Sequence, residues 1–204
     1  MSIRLVVVGS LNMDFVVRVD RLPAPGETVL GRQFQMVPGG KGANQACAAA
    51  KVAGPGTRVH MIGRVGYDLF ADQLRASLSA AGVDVSGVHA TKAQPTGVAL
   101  IWVDRSGQNS IVVAPGANHE LQPADVGSMR AAFRGARFAL FQLETPLEAV
   151  RAAMRAAREE GAQVILDPAP AQALSREMLE AADILTPNET EARLLLGLPA
   201  GRIA

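Results

Sequence analysis

Two hydrophobic rhythms alternate along the chain. Runs that are apolar at nearly every position recur as "RLVVVGS", "RVHMIG", "ARFALFQL", "QVILD" and "DILT". Continuous apolarity, rather than alternation, is the mark of strands covered on both faces. Between several of them lie helical patterns: "GANQACAAAKVA", "LFADQLRASLSAAG" and, most clearly, "PLEAVRAAMRAAREEG". The last sets Leu147, Val150 and Met154 on one face, charges elsewhere and Gly161 as its stop. Strands alternating with helices predict βαβ units around a mostly parallel sheet, a three-layer αβα architecture.

Two stretches break this scheme. "DFVVRVDRLPAPGETVLGRQFQMV" and "TGVALIWVDRSGQNSIVVAPGAN" each hold two β-rich runs around a turn, Pro23 to Gly26 in one and Asp104 to Gly107 in the other. They read as antiparallel ribbons outside the main sheet, at about residues 14–37 and 96–115, forming a small lid. The whole of 1–204 then reads as one α/β domain carrying that lid.

Composition narrows the function. The 204 residues are 49% hydrophobic and 19% charged, with net charge +1, so no basic face invites nucleic acid or an acidic membrane. Aromatic residues are only 4%, too few for a base-stacking surface. The single cysteine, Cys47, reads as a small buried helix residue in a reducing, cytoplasmic setting. The N-terminal apolar run is too short for a signal peptide or a membrane span.

Several chemistries are excluded by near misses. "GKGANQ" begins like a dinucleotide-binding loop but ends in Gln45, and Lys41 is followed by glycine instead of Ser or Thr. His119-Glu120 opens like a zinc-protease helix, but Pro123 stands where the second histidine belongs. What remains is positional, because open α/β sheets bind ligands beyond the carboxyl ends of their strands. Asn12, Asp14, Glu144, Asp167, Asn188 and Glu191 all follow strands in this way. Together with "GGKGAN" they suggest recognition of a neutral polyol, carboxylates accepting from hydroxyls while Asn and Lys donate. Lys41 heads an alanine-rich helix, where the dipole disfavours a cation, so a ligand would give it a reason to be there. In "TPNETEA", Thr186 reads as N-cap, Pro187 as the first helical residue and Glu189 as the capping-box partner. That leaves Asn188 and Glu191 on one helix face, suited to Mg²⁺ waters and nucleotide phosphate.

The segments "GSLNMD", "PAPGETVLG", "GGKGANQA", "TGVALIWVD", "PGAN", "QLETP", "DPAPA" and "TPNETEA" resemble, in this order, those of the ribokinases within the PfkB-type carbohydrate kinases. The resemblance implies an ATP-dependent transfer of phosphoryl to the 5-hydroxyl of D-ribose. It implies that Asn12, Asp14, Gly40, Lys41, Asn44 and Glu144 hold the sugar, and that Asn188 and Glu191 lie near Mg²⁺ and the ATP phosphates. It also implies a lid that closes on ribose and joins two copies into a homodimer. Fructose, keto-deoxy sugar acid and nucleoside kinases share the superfamily and stay open as alternatives. The family's Gly-Ala-Gly-Asp segment, which carries the general base and the anion hole, is absent from these residues. The adenine pocket and the monovalent-cation (K⁺) site belong to the same missing part. The expectation is therefore a sugar-binding two-thirds of such a kinase, with its sheet incomplete and no substantial activity alone. A non-catalytic sugar-binding fragment, or a second polypeptide supplying the rest, is the competing reading.

Overall fold

A computed structural model describes residues 3–199. Its main sheet has strand order β10-β9-β8-β1-β4-β5, and every pairing in it is parallel. The strands are β1 (Arg4–Val8), β4 (Arg58–Val65), β5 (Val83–Ala90), β8 (Ala136–Phe141), β9 (Gln163–Leu166) and β10 (Ile184–Leu185). Five of these are the apolar runs of the sequence. The unforeseen one, β5, is an edge strand whose polar positions, Asp84, Ser86 and His89, interrupt its apolar ones.

Val6, Val7 and Val8 are fully buried in succession because layers cover both faces of β1. On one side, Val6, Val8 and Phe141 pack against Val150, Ala153, Met154 and Ala157 of α4 (Leu147–Glu159) and against Phe133. On the other, Val7 and Met61 pack against Ala43 and Ala46 of α1 (Lys41–Val52) and Leu74 and Leu78 of α2 (Leu69–Ala80). Cys47, expected to be buried, is only partly so, lying at the margin of this second cluster. Gly161 ends the turn after α4 at φ 82°, a conformation that L side chains resist. Among the described residues no helix is long and apolar enough to cross a membrane.

The two ribbons form a second sheet. β2 (Asn12–Arg18) pairs antiparallel with β3 (Arg32–Gly39), and β6 (Gly97–Val103) antiparallel with β7 (Asn109–Ala114). The ribbons then join through β2 and β6, which run parallel, so the sheet is mixed and not purely antiparallel as the sequence suggested. Phe15 of β2 meets Phe70 of α2 edge-on at 5.6 Å and stacks on Phe34 of β3 at 5.9 Å, tying this sheet to the body. Short helices α3 (Pro123–Ser128) and α5 (Arg176–Ala181), not foreseen, fill the connections on the α4 side.

A second difference lies at α6 (Glu189–Leu195). Its N-cap is Asn188, with Glu191 as capping-box partner, instead of Thr186 with Glu189. Thr186 continues from β10, its N–H donating to Leu166 O at 3.1 Å, and a residue preceding proline favours that extended conformation.

Met154 is fully buried in the core cluster on the α4 side of the sheet, and its truncation leaves a cavity. Met154→Ala should lower the unfolding free energy by about 3 kcal/mol in urea titrations. Arg176→Ala, whose side chain is 90% exposed, should change it by under about 0.5 kcal/mol.

Candidate functional site

In the strand order, β1 lies between β8 and β4, so the chain winds off β1 in both directions. The carboxyl ends of β1 and β8 therefore flank the sheet's switch point, the place where open α/β sheets bind ligands. The glycines of "GGKGAN" bring α1 down onto it. A Cβ on Gly42 would stand 2.7 Å from Gly9 C and Ser10 N, backbone against backbone. Gly40 caps α1 at φ 93°, and a Cβ there would meet Asn12 N at 2.7 Å. Ala43 N–H then reaches Ser10 O at 3.0 Å.

Helix α1 has no side-chain cap of its own. Glu144, from the loop after β8, supplies the acceptor instead: its Oε2 receives Lys41 N–H at 3.2 Å and Ser10 Oγ–H at 2.5 Å. A carboxylate at the positive end of a helix is electrostatically favoured. Ser10 Oγ in turn faces Gly42 N at 3.4 Å, so β1, β8 and α1 close around one oxygen.

Asp14, on β2, lies against Gly39 of β3, where any Cβ would collide with its carboxylate. Burial first, and then the charge of Glu144, push its pKa up from 3.8 to about 6. Asn12 is 2% exposed, and its Oδ1 accepts from Asn118 Nδ2 at 2.8 Å. Asp167, after β9, accepts from Gln45 Nε2 at 3.2 Å, and Gln45 Oε1 accepts from Gln142 Nε2 at 2.6 Å. The Asp167 pKa is raised, chiefly by burial; Lys41 opposes the shift, and the charges of Glu191 and Glu144 add to it. Asp167 is thus the electrostatic link between the group around Lys41 and the start of α6.

Of the residues singled out in the sequence, the structure brings Asn12, Asp14, Gly40, Lys41 and Glu144 together at the switch point. Asn44 sits one turn into α1 with its side chain exposed, and among the described residues that side chain makes no hydrogen bond. Asn188 and Glu191 lie beyond Asp167 and are bonded to each other. Glu191 Oε2 accepts from Asn188 N–H and Oε1 from Asn188 Nδ2, both at 2.8 Å, while Asn188 Oδ1 accepts from Glu191 N–H at 2.9 Å. Ser10, Gln45, Gln142 and Asn118 complete the site without having been assigned to it from sequence. A polar residue at the end of an apolar run, such as Gln142 in "ARFALFQL", was the available signal.

Residues 2–204 match the family profile described as "pfkB family carbohydrate kinase". The chain belongs to the pfkB family of carbohydrate kinases. Ribokinase of Haemophilus influenzae is 42% identical over 194 residues, covering 95% of this chain and 62% of that protein. The structure of Arabidopsis thaliana ribokinase complexed with ribose and ATP superposes with a TM-score of 0.86 at 35% identity, over 98% of this chain and 64% of that one. Giardia lamblia ribokinase superposes with a TM-score of 0.89 at 32% identity, over 97% and 61%. The chain therefore spans somewhat less than two-thirds of these pfkB-family relatives.

The raised Asp14 pKa has a definite sign for stability. The fold binds this proton more tightly than the unfolded chain, so Asp14 costs stability as pH rises from about 4 to about 6. Asp14→Asn removes the cost: its urea midpoint should exceed that of the wild type above about pH 6, and the difference should vanish towards pH 4.

Proposed function

We propose that this chain forms the sugar-binding part of an ATP-dependent kinase that phosphorylates D-ribose on its 5-hydroxyl, working in the cytoplasm. The observation that carries this is the convergence of Asp14 and Glu144, two carboxylates, with the Asn12 amide and Lys41 at the switch point, beside a glycine turn that admits a ligand to the backbone. Ionised carboxylates only accept hydrogen bonds and ammonium groups only donate them, so the set discriminates hydroxyl geometry. Asn12, Asp14, Gly40, Lys41, Asn44 and Glu144 hold the sugar in this reading. The ribose and ATP bound in the structure of the Arabidopsis relative support it.

Phosphoryl transfer depends mostly on positioning and on neutralising phosphate charge, which Mg²⁺ supplies when bound with ATP. Asn188 and Glu191 fit a hydrated ion better than a directly ligated one. The capping box engages both Glu191 oxygens, and among the described residues no three His, Cys, Asp or Glu stand close enough to hold a metal. We place the ATP phosphates near this pair and Asp167. The 204 residues contain no Gly-Ala-Gly-Asp run, and we infer that the proton-accepting aspartate, and the K⁺ site of the intact family member, are not among them. We further infer that the second sheet is a lid. It exposes Phe34, Met36, Ile111 and Val112, 50% or more of each, a surface suited to pairing with a second copy of the chain.

Titration calorimetry tests the sugar site. Ribose should bind, Asp14→Ala should weaken it at least about tenfold, and fructose should bind less well. Because both Asp14 oxygens accept only in the ionised form, protonation turning one of them into a donor, affinity should rise with pH through about 6. Unchanged affinity in Asp14→Ala would overturn the site. Ribose-dependent ADP release should be absent from the 204-residue chain; turnover in the ordinary kinase range of about 1–100 s⁻¹ would show that the base lies within it.

A further inference from the structure

Asn118, which follows β7 and its Pro115-Gly116 turn, is 1% exposed and bonded on every side to the strand connection that carries Asn12. Its Oδ1 accepts from Leu11 N–H at 2.8 Å. Its Nδ2 donates to Leu11 O at 3.1 Å and to Asn12 Oδ1 at 2.8 Å. The orientation of this amide is dictated by the main chain, because Leu11 N can only donate and Leu11 O can only accept. A turned-over Asn118 would place two donors and two acceptors face to face. The polarity is therefore passed on: Asn12 must present Oδ1 to Asn118, which leaves Nδ2 to face away from it.

Nothing else in the fold competes for that Nδ2. Among the described residues it makes no hydrogen bond, and it is not among the fully enclosed polar atoms left unpaired, so it keeps a small accessible surface on an otherwise buried residue. Gly97 walls the pair from behind. A Cβ there would collide with both Asn12 Oδ1 and Asn118 Nδ2, and would stand 2.8 Å from Pro115 O.

We propose that Asn118 is a positioning residue for sugar recognition: it locks the Asn12 amide so that a donor, and never an acceptor, faces the ligand. The inference rests on reading Asn12 as a sugar-binding residue. It sharpens that reading, because the Asn12 subsite takes an oxygen with a free lone pair, a ring oxygen or a hydroxyl acting as acceptor. A hydroxyl that must donate there is rejected, because two donors would meet. Donation from the sugar is left to the acceptors Asp14 and Glu144. Two kinds of partner are thus fixed in space before any ligand arrives.

A double-mutant cycle in this chain, read by titration calorimetry, tests this. Asn118→Ala should raise the Kd for ribose at least about tenfold. In an Asn12→Ala background the same substitution should add nothing, since the amide it positions is gone. Equal losses in both backgrounds would mean that Asn118 only supports the fold, and would overturn the proposal. So would an unchanged ribose affinity in Asn118→Ala. Asp14→Ala serves as the reference: if it leaves ribose binding intact, the sugar-site reading itself fails, whereas additive losses alongside a damaging Asp14→Ala remove only the role of Asn118. If Asn118→Ala does not fold, ¹⁵N-labelled wild type decides. Ribose should shift the Asn12 side-chain amide strongly while the Asn118 amide keeps its hydrogen-bonded resonances; an unresponsive Asn12 amide would overturn the proposal.

Discussion

Gly42 and the Gly9–Ser10 peptide lie so close that no side chain fits between them, and the rest of the site follows from that contact. It sets the first turn of α1 over the end of β1, exposing unpaired N–H groups to whatever stands there. Helices α2 and α5 supply their own caps, through Asp68 and Ser175. Helix α1 does not, and borrows Glu144 from β8 and the Ser10 carbonyl from the β1 turn. The bonds that complete the helix are thereby the bonds that assemble the crevice. Strand, helix and site form together or not at all, because each supplies what the others leave unsatisfied.

That economy gathers negative charge. Asp14, Glu144, Asp167 and Glu191 act on one another across the crevice, and Lys41 is the cation whose charge offsets Asp167. Part burial makes ionised Asp14 and Asp167 more expensive than they would be in water, and the like charges add to the cost. A fold selected only for stability would carry an amide at position 14. The raised pKa of Asp14 is the measure of what is tolerated so that acceptors stand ready without hydration shells. Hydroxyl groups would relieve this tension at Asp14 without bringing charge of their own, which is why we read this end of the site as suited to a polyol.

The legible parts of the sequence are those where one physical constraint acts alone. The central strands announced themselves because burial on both faces demands apolar residues at every position, and Val6 to Val8 comply. At the sheet's edge β5 faces water along one side, its Asp84 and Ser86 follow from that, and the signal was lost. The glycines of "GGKGAN" were legible as a close approach, and Asp14 and Glu144 as polar residues after strands. Ser10 and Asn118 were not, because what defines them lies 134 and 107 residues away in the chain. A serine after a strand reads as a turn, and an asparagine after proline and glycine reads the same way. Only the folded neighbourhood turns one into a carboxylate's donor and the other into a fixed amide. The joining of β2 to β6 was hidden for the same reason, since parallel pairing between distant ribbons leaves no local trace.

The misplaced capping box has a physical lesson of its own. "TPNETEA" contains two overlapping candidates, Thr186 with Glu189 and Asn188 with Glu191, and local pattern favours the first because Pro187 suits a helix's first position. The sheet decides otherwise: Thr186 is claimed by Leu166 O, and the helix waits two residues. Asn188 and Glu191 then serve as the cap, which at first sight exhausts them. A carboxylate, however, offers about four lone-pair directions, and the box uses one on each oxygen of Glu191. The remaining directions stay available to water, while the box has already met the entropic cost of fixing the side chain. In the reading we propose, a carboxylate already held by its own helix would organise a hydrated ion with less loss of entropy than a free one. Capping and the ion contact we propose would draw on different lone pairs of the same group.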